Sequence, residues 1–276
     1  MKIYKTEAGV LAKQDDKFYL LKDAVWDDLV NDDFALDKVE SLVRTTPHFS
    51  RSLSYLPLKP IADKQELWAC GVTYLRSKIG RQEESKDTAA ADFYAKVYEA
   101  ERPEVFFKAT PQRIVATNEL VNIRKDSTWD VPEPELTLVV TSSQKIIGYT
   151  VGNDMSSRSI EGENPLYLPQ AKTYDGCAAL GPCIYLTNTP LPASTEIRLG
   201  IIRDFKYVFE ETIAISQMKR TPEELVSFVF RECSFPHGCF IMTGTGIVPG
   251  NNFTLQSEDE IEITIDGIGS LINFVR

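Results

Sequence analysis

The chain has 276 residues, 43% of them hydrophobic and 25% charged, with 15 glycines and 15 prolines. That is ordinary globular composition, long enough for one large domain or a catalytic domain with a small appendage. A formal net charge of −10 disfavours nucleic acid and anionic membrane as partners, since both need a basic footprint.

No apolar run approaches a membrane span, and the first residues lack the apolar core of a signal peptide. Five cysteines without a C-x-x-C pair argue against a disulfide framework or a zinc knuckle and favour a reducing cytoplasm. Residues 1–60 read as a small leading α/β module. Within it Lys2–Thr6 and Val10–Leu21 form short strands, the second turning at Asp15-Asp16. Helical spacing follows at Val25, Trp26, Leu29 and Val30, then at Leu36, Val39 and Val43. Pro47, Pro57 and Pro60 punctuate the exit.

Residues 61–276 change character. Leu67–Val72 reads as a strand and Gly80–Glu101 as a polar helix. Strands follow over Val105–Lys108, Leu120–Ile123, Glu135–Val140 and Ile146–Asn153, the last two forming a hairpin across Ser142-Ser143-Gln144. A helix opens at Thr221 as N-cap, with Pro222 at its first position and Glu224 completing a capping box. The tail returns to strands at Phe240–Thr243, Phe253–Leu255, Ile261–Ile265 and Leu271–Val275. Long β-α alternation is missing. The expected fold is α+β and mostly β, with mixed, largely antiparallel sheets.

The chemistry concentrates in two segments. In Glu133-Pro-Glu135 the two carboxylates lie two residues apart on a strand and project to one face. Like charges so placed repel unless protonated or bridged by a cation. Taken alone, the pair also fits a solvated strand entrance. In the second segment the apolar run from Ile146 ends in Asn153-Asp154, which reads either as a turn or as a third carboxylate delivered beside the first two. Three oxygens on one hairpin leave octahedral positions for water and substrate, as Mg²⁺ prefers.

Around these segments stand Trp68-Ala-Cys-Gly-Val-Thr-Tyr74, Pro103-Glu-Val-Phe-Phe-Lys108, Gly148-Tyr-Thr-Val-Gly-Asn-Asp154-Met-Ser-Ser-Arg158, Lys172…Asp175, Leu180-Gly-Pro182, Thr243-Gly-Thr-Gly246 and Asp266–Asn273. In this order, from about Leu67 to Val275, they resemble the fumarylacetoacetate hydrolase family. The resemblance implies a mixed β-sandwich or β-roll catalytic domain, a Glu/Glu/Asp magnesium site that also accepts Mn²⁺ or Ca²⁺, 2-oxo acid or β-diketone substrates, and a homodimer or homotetramer. It makes Glu133, Glu135 and Asp154 the metal ligands and matches Glu104 and Lys172 to catalytic positions. Arg76, Ser77, Lys108 and Thr245 are candidates for binding substrate.

The hydrolytic members place a water-activating His shortly after the Gly-x-Asn-Tyr motif. The corresponding stretch from Gly71 to Lys86 has none, and the two histidines, His48 and His237, lie elsewhere. The run Thr73-Tyr-Leu-Arg-Ser77 and the segment from Glu161 to Lys172 instead resemble the family's 2-keto-3-deoxy-D-arabinonate dehydratase branch. That resemblance implies loss of water from a 2-keto-3-deoxy pentonate to give 2,5-dioxopentanoate, the semialdehyde of 2-oxoglutarate. Hydrolysis of a carbon–carbon bond in a 2,4-diketo acid and non-catalytic binding of a 2-oxo acid stay open as alternatives.

Overall fold

A computed structural model describes residues 1–48, 56–76 and 96–276. The first strand, β1 (Lys2–Thr6), pairs antiparallel with β2 (Gly9–Gln14), which folds back as β3 (Lys17–Leu21). Asp15 and Asp16 make that turn with φ of 47° and 60°, the two positive angles that a type I′ hairpin requires. Helices α1 (Trp26–Leu29) and α2 (Ala35–Thr45) follow, and Ala35, Val39 and Val43 put one face of α2 into the core at four-residue spacing.

Next come β4 (Glu66–Gly71), β5 (Glu104–Ala109), β6 (Ile114–Val115), β7 (Leu120–Val121), β8 (Asp130–Val131), β9 (Pro134–Val140), β10 (Ile146–Asp154) and β11 (Ser156–Ser157). Two short helices, α3 (Arg158–Glu163) and α4 (Leu168–Lys172), lead to β12 (Ala178–Leu186), β13 (Glu196–Arg203) and β14 (Lys206–Ala214). Helix α5 (Pro222–Val229), β15 (Cys239–Met242), β16 (Glu260–Ile265) and β17 (Gly269–Val275) complete the chain.

The large sheet runs β3-β2-β1-β12-β10-β9-β15-β4-β5, with β6 alongside β12; a second sheet runs β14-β13-β16-β17-β7. Most pairs are antiparallel. The parallel ones are β15 with β4, β12 with β6 and β17 with β7. The leading strands join the large sheet through Lys2 opposite Tyr185 and Ile3 opposite Ile184.

Strand β9 shows how the layers form. Leu136, Leu138 and Val140 point into one core cluster with Ile197, Leu199 and Ile263 of the second sheet. Val139, on the opposite face, joins a cluster with Val39 and Val43 of α2. Glu133, Glu135 and Thr137 fall on the Val139 face by the two-residue period.

The structure departs from the sequence expectations in places. Phe253–Leu255 is a loop, tied crosswise to β8 by Leu255 N donating to Asp130 O at 2.9 Å and Asp130 N donating to Thr254 Oγ1 at 2.9 Å. The strand expected over 120–123 stops at Val121. Thr221 does cap α5, accepting from Glu224 N at 3.2 Å, but the Glu224 carboxylate bonds Arg220 and does not close the box. Of the helix expected over 80–101, residues 80–95 lie outside the described residues, and Lys96–Glu99 are helical. β12, β13 and β14 went unread in the sequence.

Candidate active site

The Glu133-Pro-Glu135 segment opens β9 against the tip of β10. Glu133 and Asp154 exchange both backbone hydrogen bonds, at 2.9 and 3.2 Å. The next pair along, Pro134 opposite Asn153, therefore falls where antiparallel partners exchange none, so proline's missing N–H costs nothing there. This register brings Glu133, Glu135 and Asp154 together: each offers a carboxylate oxygen within 4.8 Å of the others. All three are buried, at 5%, 1% and 1% exposure.

Three buried cations surround them. Lys172, ending α4, donates to Glu133 Oε2 at 2.8 Å and Ser156 Oγ at 2.5 Å, and lies 3.3 Å from both Asp154 Oδ2 and Glu161 Oε1. Arg158, opening α3, donates to Glu133 Oε1 at 2.7 Å and lies 3.8 Å from Glu161 Oε2, one helical turn on. Lys108, from β5, reaches Asp154 Oδ1 at 2.5 Å and donates to Met155 O at 3.0 Å and to Lys172 O. An ammonium has three donors, and two of Lys108's go to those backbone carbonyls. Lys108 thus stands against Asp154 as a buried counter-charge.

With Glu161, four buried carboxylates face three buried cations. Glu135 accepts a hydrogen bond from Gly244 N, at 2.5 Å. Burial first, then the charges of Asp154 and Glu133, hold its carboxyl well above the usual range, with Lys172 and the Gly244 amide opposing. A proton or a cation must sit there. An all-oxygen donor set of three carboxylates suits a hard divalent ion such as Mg²⁺ or Mn²⁺.

Glu133, Asp154, Arg158 and Lys172 line a cleft with Gly71, Phe106 and Thr245. Glu104 stands opposite Gly71 in the β4–β5 pairing and lays its carboxylate over that glycine. Thr245 lines the cleft, yet its hydroxyl bonds the backbone of Ile247, donating to the carbonyl at 3.1 Å and accepting from the amide at 3.2 Å. The neighbouring Gly244 amide donates to Glu135. Arg76 donates to Val248 O at 3.3 Å and is not among the lining residues. Ser77 lies outside the described residues. His48 packs near the Tyr19 ring, and neither it nor His237 lines the cleft.

Sequence reading assigned no part to Ser156, Arg158 or Glu161. Ser156 and Arg158 both belong to the motif Gly148–Arg158. Glu161 looks like any helical surface acid until α3 turns it inward.

The sequence profile described as "Fumarylacetoacetate (FAA) hydrolase C-terminal" matches residues 79–276. The chain belongs to this family. It is 50% identical over 214 residues to a "Probable 2-keto-3-deoxyxylonate dehydratase" of Haloferax volcanii, covering 77% of this chain and 73% of that one. It is 44% identical over 223 residues to the "2-dehydro-3-deoxy-D-arabinonate dehydratase" of Saccharolobus solfataricus, covering 79% and 74%. A solved structure described as "2-keto-3-deoxy-D-arabinonate dehydratase complexed with magnesium and 2,5-dioxopentanoate" superposes with a TM-score of 0.83 at 35% identity, over 100% of this chain and 99% of that one. A fumarylacetoacetate hydrolase from Exiguobacterium antarcticum shares the fold, at a TM-score of 0.74 and 20% identity.

Proposed function

We propose that this family member is a Mg²⁺-dependent dehydratase that removes water from a 2-keto-3-deoxy pentonate and gives 2,5-dioxopentanoate. The observation that carries the reading is the buried Glu133/Glu135/Asp154 carboxylate triad beside a cleft lined by Glu133, Asp154 and Lys172, with Glu104 laid over the cleft residue Gly71 and no histidine among the described residues that line it. The names of the 44–50% identical relatives and of the magnesium-bound structural neighbour support it. Such an acid keeps one stereocentre, C4, because C2 is a ketone and C3 a methylene. Xylonate and arabinonate names are therefore compatible with one pocket.

A divalent ion on the triad would supply Lewis-acid polarisation of the C2 ketone, which acidifies the C3 hydrogens. Of Glu104 and Lys172, one takes the C3 proton and the other protonates the C4 hydroxyl as it leaves as water. The new double bond then shifts toward C5, where the remaining hydroxyl becomes the aldehyde, and all five carbons are retained. Arg158 and Glu161 hold Lys172 and Glu133 in register, and burial keeps bulk water from the reacting carbons. The exposed Phe205, Tyr207 and Val208 of the β13–β14 hairpin support the homodimer or homotetramer that belongs to this reading. The free cysteines, four of them buried, suit a cytoplasmic protein; among the described residues no helix is long and apolar enough to cross a membrane.

Product analysis by mass spectrometry tests the reaction. The deoxy acid with Mg²⁺ should yield a five-carbon aldehyde, and chelator should abolish turnover. Lys172→Ala or Glu104→Ala should lower kcat by about 10²-fold or more while binding survives. Pyruvate plus a shorter acid from a 2,4-diketo acid, with the deoxy acid untouched, would overturn the assignment to elimination.

A further inference from the structure

Gly71 ends β4 directly opposite Glu104 of β5 and lines the cleft. Its φ lies outside the left-handed range that would call for glycine, so backbone conformation does not explain the residue. Its surroundings do. A Cβ on Gly71 would fall 1.8 Å from Glu104 Oε2, 2.8 Å from the carboxyl carbon and 3.4 Å from Cγ. The nearest obstacles are thus all atoms of one side chain, and the first is one of its reactive oxygens. The Glu104 carboxylate occupies the volume that any side chain at position 71 would need.

We propose that Gly71 is a positioning residue for Glu104: the absent side chain is the socket in which the acid–base carboxylate lies. The inference rests on the dehydratase reading for the role of Glu104, and on this structure alone for the contact. The far end of a glutamate is flexible, so Gly71→Ala can be accommodated by swinging the carboxylate away without parting β4 from β5. The socket also sets a length. Glu104 reaches over its neighbour on the adjoining strand, close to the cross-strand separation of paired Cβ positions, and its carboxylate lies over Gly71, a residue of the cleft wall.

Gly71→Ala tests this with three measurements. Steady-state kinetics should show kcat reduced by about 10²-fold, the usual weight of acid–base catalysis, with Mg²⁺ affinity within about twofold of wild type, since Glu133, Glu135 and Asp154 are untouched. In a Glu104→Gln background the same substitution should cost less than about twofold, because two changes acting through one group are not additive. A crystal structure should show Glu104 off position 71 with the β4–β5 register kept. An unchanged kcat, an equal loss in the Glu104→Gln background, or a Glu104 carboxylate still in place would each overturn the proposal. If wild type turns over no keto-deoxy acid while Glu104 is displaced in the variant, the reaction falls and the positioning stands.

Discussion

At the scale of single residues, the site is a problem in charge compensation. Burial and the charges of Asp154 and Glu133 raise the Glu135 carboxyl above its ordinary 4.5 in metal-free protein. A group raised in this way favours the fold fully below 4.5, and its contribution is lost as pH climbs through the folded value, because the unfolded chain ionises first. Metal-free protein should accordingly lose stability from Glu135 as pH rises above 4.5. Mg²⁺ competes with that proton, so the melting temperature it restores should grow with pH; the ion is worth about 2.7 kcal/mol at a hundredfold excess over Kd. Melting curves with and without Mg²⁺ across pH check this, and in Glu135→Gln the pH dependence of the gain should disappear. Glu133, Glu135 and Asp154 were legible in the sequence because a two-residue strand period and one hairpin relate them. Lys108 and Lys172 stand among the candidates that the family resemblance supplies, but their pairing with the triad, and that of Arg158, could not be read, since the three arrive from separate elements and a sequence does not say which lysine is buried.

At the scale of elements, local chemistry that acts between neighbours could be read, and chemistry that acts across the sheet could not. The Asp15-Asp16 turn, the β9–β10 hairpin and the Thr221 cap each close within a few residues. β12 escaped notice because Gly181 and Pro182 interrupt it, and proline in a strand interior normally argues against a strand. The sheet accommodates it where the register between β10 and β12 slips between Tyr149 and Val151. There the Thr150 hydroxyl sits 3.2 Å from Gly181 O and donates to Cys183 O at 2.7 Å. Phe253–Leu255 misled for the opposite reason: its residues are strand-like, but its link to β8 is one backbone hydrogen bond and one side-chain bond, not a ladder. The β10–β12 packing makes a prediction at this scale. A Cβ on Gly148 would meet the Tyr185 carbonyl oxygen at 2.5 Å, which is backbone and cannot swing aside. Gly148→Ala should destabilise the protein by about 1–3 kcal/mol, as overpacking does, measured as a lower urea midpoint with m unchanged.

For the whole molecule, the leading residues are joined to the remainder by the β1–β12 pairing and by a shared core in which Ile3, Val10, Ala12 and Leu21 pack with Ile184, Leu186 and Phe240. Deleting residues 1–21 should bare the end of β12 and part of that core, so the shortened chain should lose its cooperative urea transition and aggregate. A monodisperse fragment that unfolds cooperatively would show that residues 22–276 stand alone. The position of β9 carries a different consequence. It lies between β10 and β15 and is buried along its whole length, and Glu135 belongs to it. Its amide protons should be among the slowest in the chain to exchange with deuterated solvent, opening only when the entire sheet opens. The scaffold beneath the carboxylates would then be finished before any ion arrives, and an ion could come and go many times without the chain refolding around it.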